Sequence, residues 1–178
     1  MDGAWYFRLF YMPLINLFVS IILYKTIKAE RMTGPGPGRF WTILYFVELA
    51  ILCGLLWFVS FHINWAFWGG IFVIISGHSI FALGYIAMRA HPEKKKTVVD
   101  WGIYGISRNS HMIAAKITTL GVIIMGWDLH SMIYYVLWAY FLLEIMLTHW
   151  YVVSEEKMNI VKFGDEYKEY MKRVPRYL

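Results

Sequence analysis

Two blocks of the chain hold most of the residues able to do polar chemistry. The first is Asp100-Trp101-Gly102-Ile103-Tyr104-Gly105-Ile106-Ser107-Arg108-Asn109. Gly102 and Gly105 carry no side chain, so backbone there can come close to a ligand. Tyr104 offers a ring face for stacking, and Arg108 and Asn109 offer donors just where an apolar run begins. The free N–H groups at such a helix start suit an anion, for example a carboxylate. The same residues also make an ordinary turn-rich loop with an interfacial tyrosine and a snorkelling arginine. Spacing alone leaves both readings open.

The second block begins at Glu155-Glu156. At about 100° per residue, Glu144 and Glu155 fall within about 20° of each other on a helix, as do His149 and Glu156. A helix that runs past the membrane surface through Glu155-Glu156 therefore carries two adjacent polar stripes into its apolar part. A carboxylate there could hold ribose hydroxyls or balance a cationic ligand; it could equally be a solvated helix end. Residues 163–170 then read as a turn and an amphipathic helix, followed by Val174-Pro175-Arg176. Its aromatics suit a helix packed over the membrane face as a lid.

Inside the apolar runs stand Glu48, Lys116 and Glu144, with His78 and His149 as polar companions. Ionisable groups are costly in a bilayer and mark either pairs or function. Pairing of Lys116 with Glu48 or Glu144 would tie helices together. His78 and His149 lie on different helices and leave a haem-binding protein as a rival, without any repeated two-histidine pattern to support it. The single cysteine, Cys53, removes a disulfide framework and a cysteine-based zinc site, and no metal site is expected.

These groups must be positioned by membrane helices. The 178 residues are 59% hydrophobic, 19% aromatic and only 16% charged, with a mean hydropathy of +0.49. An average soluble domain is about 25% charged. Apolar runs at 4–24, 40–61, 65–88, 111–126 and 132–153 approach the roughly 20 residues a bilayer-spanning helix needs. The expected fold is all-α and integral to the membrane. About five transmembrane helices form one domain: three spans in 1–88, then a catalytic loop, a helical hairpin and a tail in 89–178. The fourth and fifth runs form a tight hairpin around Trp127-Asp128-Leu129-His130. The first run lacks the basic start and cleavage pattern of a signal peptide. The Gly-Pro repeat at 34–38 is a connector. Gly70 and Gly77 could support helix contact.

Of the 17 basic residues, 15 fall in the loop after the first run, the loop after the third and the C-terminal tail. By the positive-inside rule these are cytoplasmic. The N-terminus is then outside and the C-terminus inside, in a prokaryotic inner membrane or an ER-type membrane. The net charge of +5 reads as that signature and not as a nucleic-acid surface.

The stretch 102–109 resembles the G-x-Y-x-x-S-R-[HN]-P-x-Y segment of the isoprenylcysteine carboxyl methyltransferase and phospholipid methyltransferase superfamily. Glu155-Glu156 with Phe163-Gly164-Asp165-Glu166-Tyr167, Tyr170 and Val174-Pro175-Arg176 is similar to that superfamily's E-E…F-G-x-E-Y-x-x-Y…V-P-R ending. The resemblance covers about residues 80–178. It implies an integral membrane enzyme that moves a methyl group from S-adenosyl-L-methionine to a lipid-like or small acceptor. A cytoplasmic cofactor pocket would lie between the loop before the fourth helix and the tail. Gly102, Tyr104, Arg108 and Asn109 would form one wall and Glu155 and Glu156 the opposite one, with Tyr167, Tyr170 and Arg176 closing it. His149, on the Glu156 stripe, counts as a further cofactor contact.

Arg108 or Arg176 would sit beside an anionic acceptor, whereas Glu155, Glu156 or His149 would act as base toward an ammonium. Arg108, Glu156 and Arg176 are thus the candidate catalytic residues. The chain departs from the motif where Ser110 replaces the proline and Met112 the tyrosine, with His111 between them. The acceptor stays open: an isoprenylcysteine carboxylate, an amine phospholipid, another isoprenoid lipid or a small thiol. A membrane lipid or lipidated molecule is the expected partner. A non-catalytic membrane scaffold or transport subunit is the other rival.

Overall fold

The computed structural model describes residues 8–27, 38–59, 62–90 and 97–177. Their order is α1 (Tyr11–Ile27), α2 (Arg39–Trp57), α3 (Trp65–Arg89), a single 3-10 turn at Gly102–Gly105, α4 (Ser110–Met125), α5 (Met132–Phe163) and α6 (Asp165–Arg173). No strand occurs among the described residues. Helices α2, α3 and α5 are long and apolar enough to cross a membrane, and α1 and α4 are shorter apolar helices.

Only 11% of the most apolar window of α2 is buried inside the protein. Phe40, Phe46, Trp65, Phe72 and Met146 all stand more than half exposed. A helix apolar on all sides with so little internal burial has lipid as its solvent. The chain is therefore membrane-embedded.

The expected runs at 40–61, 65–88 and 111–126 become α2, α3 and α4 with ends shifted by a few residues. The run at 132–153 becomes the membrane part of the longer α5. The first helix is described from Tyr11, with Pro13 in its opening turn, where a missing N–H costs little. Residues 1–7 and 28–37, including most of the Gly-Pro connector, lie outside the described residues.

Helix α3 packs closely along α4. Gly70, Gly77 and Gly84, spaced at seven residues, all face α4. A Cβ on Gly77 would stand 3.0 Å from the Ala114 carbonyl oxygen, and one on Gly84 would stand 2.6 Å from His111 Cε1. From the other side, a Cβ on Gly121 would meet the Gly70 carbonyl oxygen at 2.8 Å. Close backbone approach of this kind is how helices associate where no hydrophobic drive separates protein from lipid. Gly70 and Gly77 thus serve a contact within the chain. Asn64 caps α3, its side chain accepting from the Ala66 and Phe67 N–H groups. His78 ties α3 to α1, its ring nitrogens lying 3.0 Å from the Ile74 carbonyl and 3.4 Å from that of Asn16.

Two cores result. The larger gathers Leu9, Leu56, Val122, Ile123, Tyr134 and Leu137 around the α4–α5 hairpin. The smaller packs Val98 of the loop against Tyr167, Tyr170 and Val174 of the tail. Helix α5 runs well past Glu156 before Gly164, at φ +59°, ends it. Helix α6 follows with Asp165 and Glu166 in its first turn and Lys172 and Arg173 in its last, which suits the helix dipole at both ends.

Candidate functional site

The loop before α4 and the tail after α5 are one unit. The Arg108 N–H donates to the Pro175 carbonyl at 3.1 Å. Ser107 Oγ and Asn109 Nδ2 both donate to the Arg176 carbonyl, at 3.3 and 3.1 Å. The Tyr170 hydroxyl donates to the Tyr104 carbonyl at 2.7 Å, and the Val98 N–H donates to Glu166 Oε1 at 3.0 Å. Arg173 reaches Asp100 at 2.9 Å. Non-helical backbone next to a membrane must find such partners or remain unsatisfied. Here the tail supplies them.

Glu156 sits at the centre of this unit, 3% exposed. Its Oε1 lies 3.2 Å from Arg108 Nη1, and its Oε2 lies 2.8 Å from Arg176 Nη2. The Nε of Arg176 also donates to Glu156 Oε2 at 3.1 Å. A carboxylate this deep is tolerable only with charged donors on both oxygens. The bond to Glu156 in turn holds the Arg176 guanidinium above its ordinary pKa. Burial raises the phenols of Tyr104 and Tyr170, so both remain neutral donors.

Beside the unit lies a cavity of about 550 Å³, within the usual range of small-molecule sites. Tyr104, Arg108, Asn109, Glu155, Tyr167 and Tyr170 line it, from both blocks singled out by the sequence. Asn159, Lys162, Met158 and Phe163 of α5 complete its tail side, with Tyr24 and Tyr85 from α1 and α3. Two buried nitrogens of Arg108, Nε and Nη1, have no partner of hydrogen-bond geometry. Nη1 still lies in the ion pair with Glu156, so Nε is the Arg108 donor left without any partner.

Other expected residues lie elsewhere. Gly102, at φ +59°, lies against α3, where a Cβ would stand 3.0 Å from that of Ala87. It makes a close turn there and is not among the residues that line the cavity. Glu156 and Arg176 are spent on each other and on Arg108, outside the cavity lining. His149 faces away, with Nδ1 3.1 Å from the Tyr177 hydroxyl. The two stripes on α5 thus separate by location: Glu144 and Glu155 line cavities, whereas His149 and Glu156 meet the end of the chain.

A second cavity of about 510 Å³ lies between α1, α2, α4 and α5. Glu48, Lys116 and Glu144 line it, and Lys116 Nζ is 2.8 Å from Glu144 Oε1. Leu17, Ser20, Tyr85, His111, Met112 and Tyr151 line both cavities, so the two adjoin. His111 stands at the junction. Its Nδ1 shares a hydrogen bond with the Tyr104 hydroxyl, and its buried Nε2 has no partner. The sequence reading noted His111 only as the residue between two motif departures. The signal that could have raised it is Gly84, whose missing side chain makes room for the imidazole. Asn159 and Lys162 were also missed, because their wall forms only when α6 folds back.

The chain matches no protein-family model and no curated protein.

Proposed function

We propose that the protein is an integral membrane methyltransferase using S-adenosyl-L-methionine, with all five apolar helices crossing the bilayer, the N-terminus outside and the C-terminus cytoplasmic. The observation that carries this reading is the convergence of two sequence-distant blocks, 97–109 and 155–170, on one cavity at the basic end of the helices. When bound, the cofactor supplies a methyl group on a sulfonium, open to in-line displacement. The protein's part is to bind, orient and exclude water, and positioning alone can supply roughly 7–11 kcal/mol of such a barrier.

Within this reading the Arg108 guanidinium, through its unpartnered Nε, receives a carboxylate. Glu155 faces hydroxyls or positive charge from the opposite wall, and Tyr104 and Tyr167 offer neutral phenols and ring faces. Glu156 and Arg176 are positioning residues: their ion pairs hold the Arg108 guanidinium and dock the tail over the loop. The adjoining cavity among the helices gives a lipid-like acceptor a path to the same junction from within the membrane.

Calorimetric titration of the purified protein with S-adenosylhomocysteine tests the proposal. Binding is expected, weakened at least tenfold in Arg108→Ala and in Glu155→Gln and unchanged in Arg173→Ala. A native protein that binds none of it overturns the proposal.

A further inference from the structure

We infer that the cavity among α1, α2, α4 and α5 is the acceptor site, and that it takes a hydrophobic amine, held as its ammonium, in preference to an amphiphile with an anionic head. Its assignment as acceptor site rests on the methyltransferase reading; its preference for an amine rests on the cavity alone.

Three side chains set that preference. Lys116 is committed to Glu144 Oε1 at 2.8 Å. Glu144 is more than nine-tenths buried, and its Oε2 has no hydrogen-bond partner. Glu48 lines the same space from α2 and forms no ion pair among the described residues. Among the described residues the cavity thus holds two carboxylates against one ammonium, and one of its buried oxygens lacks a donor. A buried acceptor left without a donor costs free energy, as does an unbalanced charge inside a membrane. One ligand group removes both costs: an ammonium, with N–H donors for Glu144 Oε2 and a positive charge for Glu48.

The other acceptor heads fit less well. A carboxylate or phosphate would bring further negative charge to a site whose lysine is already paired. A hydroxyl would satisfy Glu144 Oε2 and leave Glu48 unbalanced. The rest of the ligand must be apolar. Lys116 lies six residues into α4 and Glu48 nine residues into α2, about 9 and 14 Å along their helices. Leu17, Leu44, Leu52 and Val122 line the walls. For transfer the ammonium first gives a proton to the Glu48 or Glu144 carboxylate. The neutral amine then reaches the loop–tail cavity through the shared boundary at His111 and Met112. There its lone pair takes the methyl group as the carbon–sulfur bond breaks.

The test is binding, not turnover. The full chain in phosphatidylcholine nanodiscs is titrated with dodecylamine, dodecanol and dodecanoate, with empty nanodiscs as the blank. Dodecylamine is expected to bind saturably and at least tenfold more tightly than the other two. Glu48→Gln should weaken amine binding about tenfold. Ala115→Phe, which fills the cavity from α4 without altering charge, should weaken it as well; circular dichroism checks that both variants fold. Equal or tighter binding of dodecanoate overturns the inference, and so does dodecanol binding as tightly as the amine. Amine affinity unchanged in both variants overturns it too, since it then reflects partition into the bilayer. Titration with S-adenosylhomocysteine separates the two proposals. Amine binding without it leaves the amine site standing and the methyltransferase reading refuted. Its binding without amine preference refutes the amine site alone.

Discussion

The α3–α4 contact and the loop–tail contact hold the same molecule together by opposite means. Along α3 and α4 the partners are Gly70, Gly77, Gly84, Ala114 and Gly121, and what binds is close backbone approach. Between the loop and the tail, a network of hydrogen bonds and ion pairs centred on Glu156 is added to the small apolar core of Val98, Tyr167, Tyr170 and Val174. The difference follows from the solvent on each side. In lipid, helices have already satisfied their backbone and gain mainly by packing. At the membrane edge the chain leaves the helix, and each freed carbonyl and N–H needs a new partner. The order of the candidate site therefore comes from polar docking, above helices that are themselves closely packed.

Removing the centre of the polar contact should have the largest effect. Glu156→Ala leaves Arg108 and Arg176 without their counter-ion. Loss of one partner from a buried pair typically costs about 3–5 kcal/mol. Limited proteolysis should then cut the tail of this variant before its helices melt. A variant with native stability and a protected tail would show that the ion pairs do not hold the unit.

Overpacking the apolar contact should come next. Gly77→Leu must displace the Ala114 carbonyl region, and forced overpacking typically costs about 1–3 kcal/mol. Here the whole thermal transition should fall, with no preferential release of the tail. If the tail is cut first in this variant as well, the two contacts are not independent.

Tyr170→Phe should be milder. It removes the donor to the Tyr104 carbonyl, worth about 0.5–1.5 kcal/mol. It also carries a pH signature. Burial raises the Tyr170 phenol above its ordinary value of 10.0, so the unfolded chain gives up that proton first as pH rises. Stability contributed by the neutral phenol is complete below about pH 10 and declines above it. The alkaline loss of stability should therefore be smaller in Tyr170→Phe than in the native protein, as thermal melts from pH 8 to 11 would show. Arg173→Ala should have the least effect. Its pair with Asp100 is largely exposed, and such pairs contribute at most about 1 kcal/mol.

Much of the fold was readable in advance, because a bilayer imposes a length and a composition on whatever crosses it. The extents of α2, α3 and the α4–α5 hairpin follow from that constraint. Helical geometry alone put Glu144 and Glu155 on one stripe, and both line cavities. The pairing of Lys116 was expected with either Glu48 or Glu144, and the fold chooses Glu144. Adjacent residues were harder to separate. Glu155 and Glu156 are equivalent by type and position, yet one faces a cavity and the other sits between two arginines.

By itself, then, the sequence determined that the chain is helical and membrane-embedded, where its charges gather and which two blocks hold its polar side chains. Those properties depend on composition and on the helical period, which are local. Only the tertiary structure decided the division of labour within the blocks. Consecutive helix residues point about 100° apart, so the path of the tail after Gly164 determines which carboxylate it covers. It also decided that Gly102 serves a turn against Ala87, that His149 belongs to Tyr177, and that His111 stands where two cavities meet. Each of those outcomes depends on which distant surface packs against the residue, and no local pattern contains it.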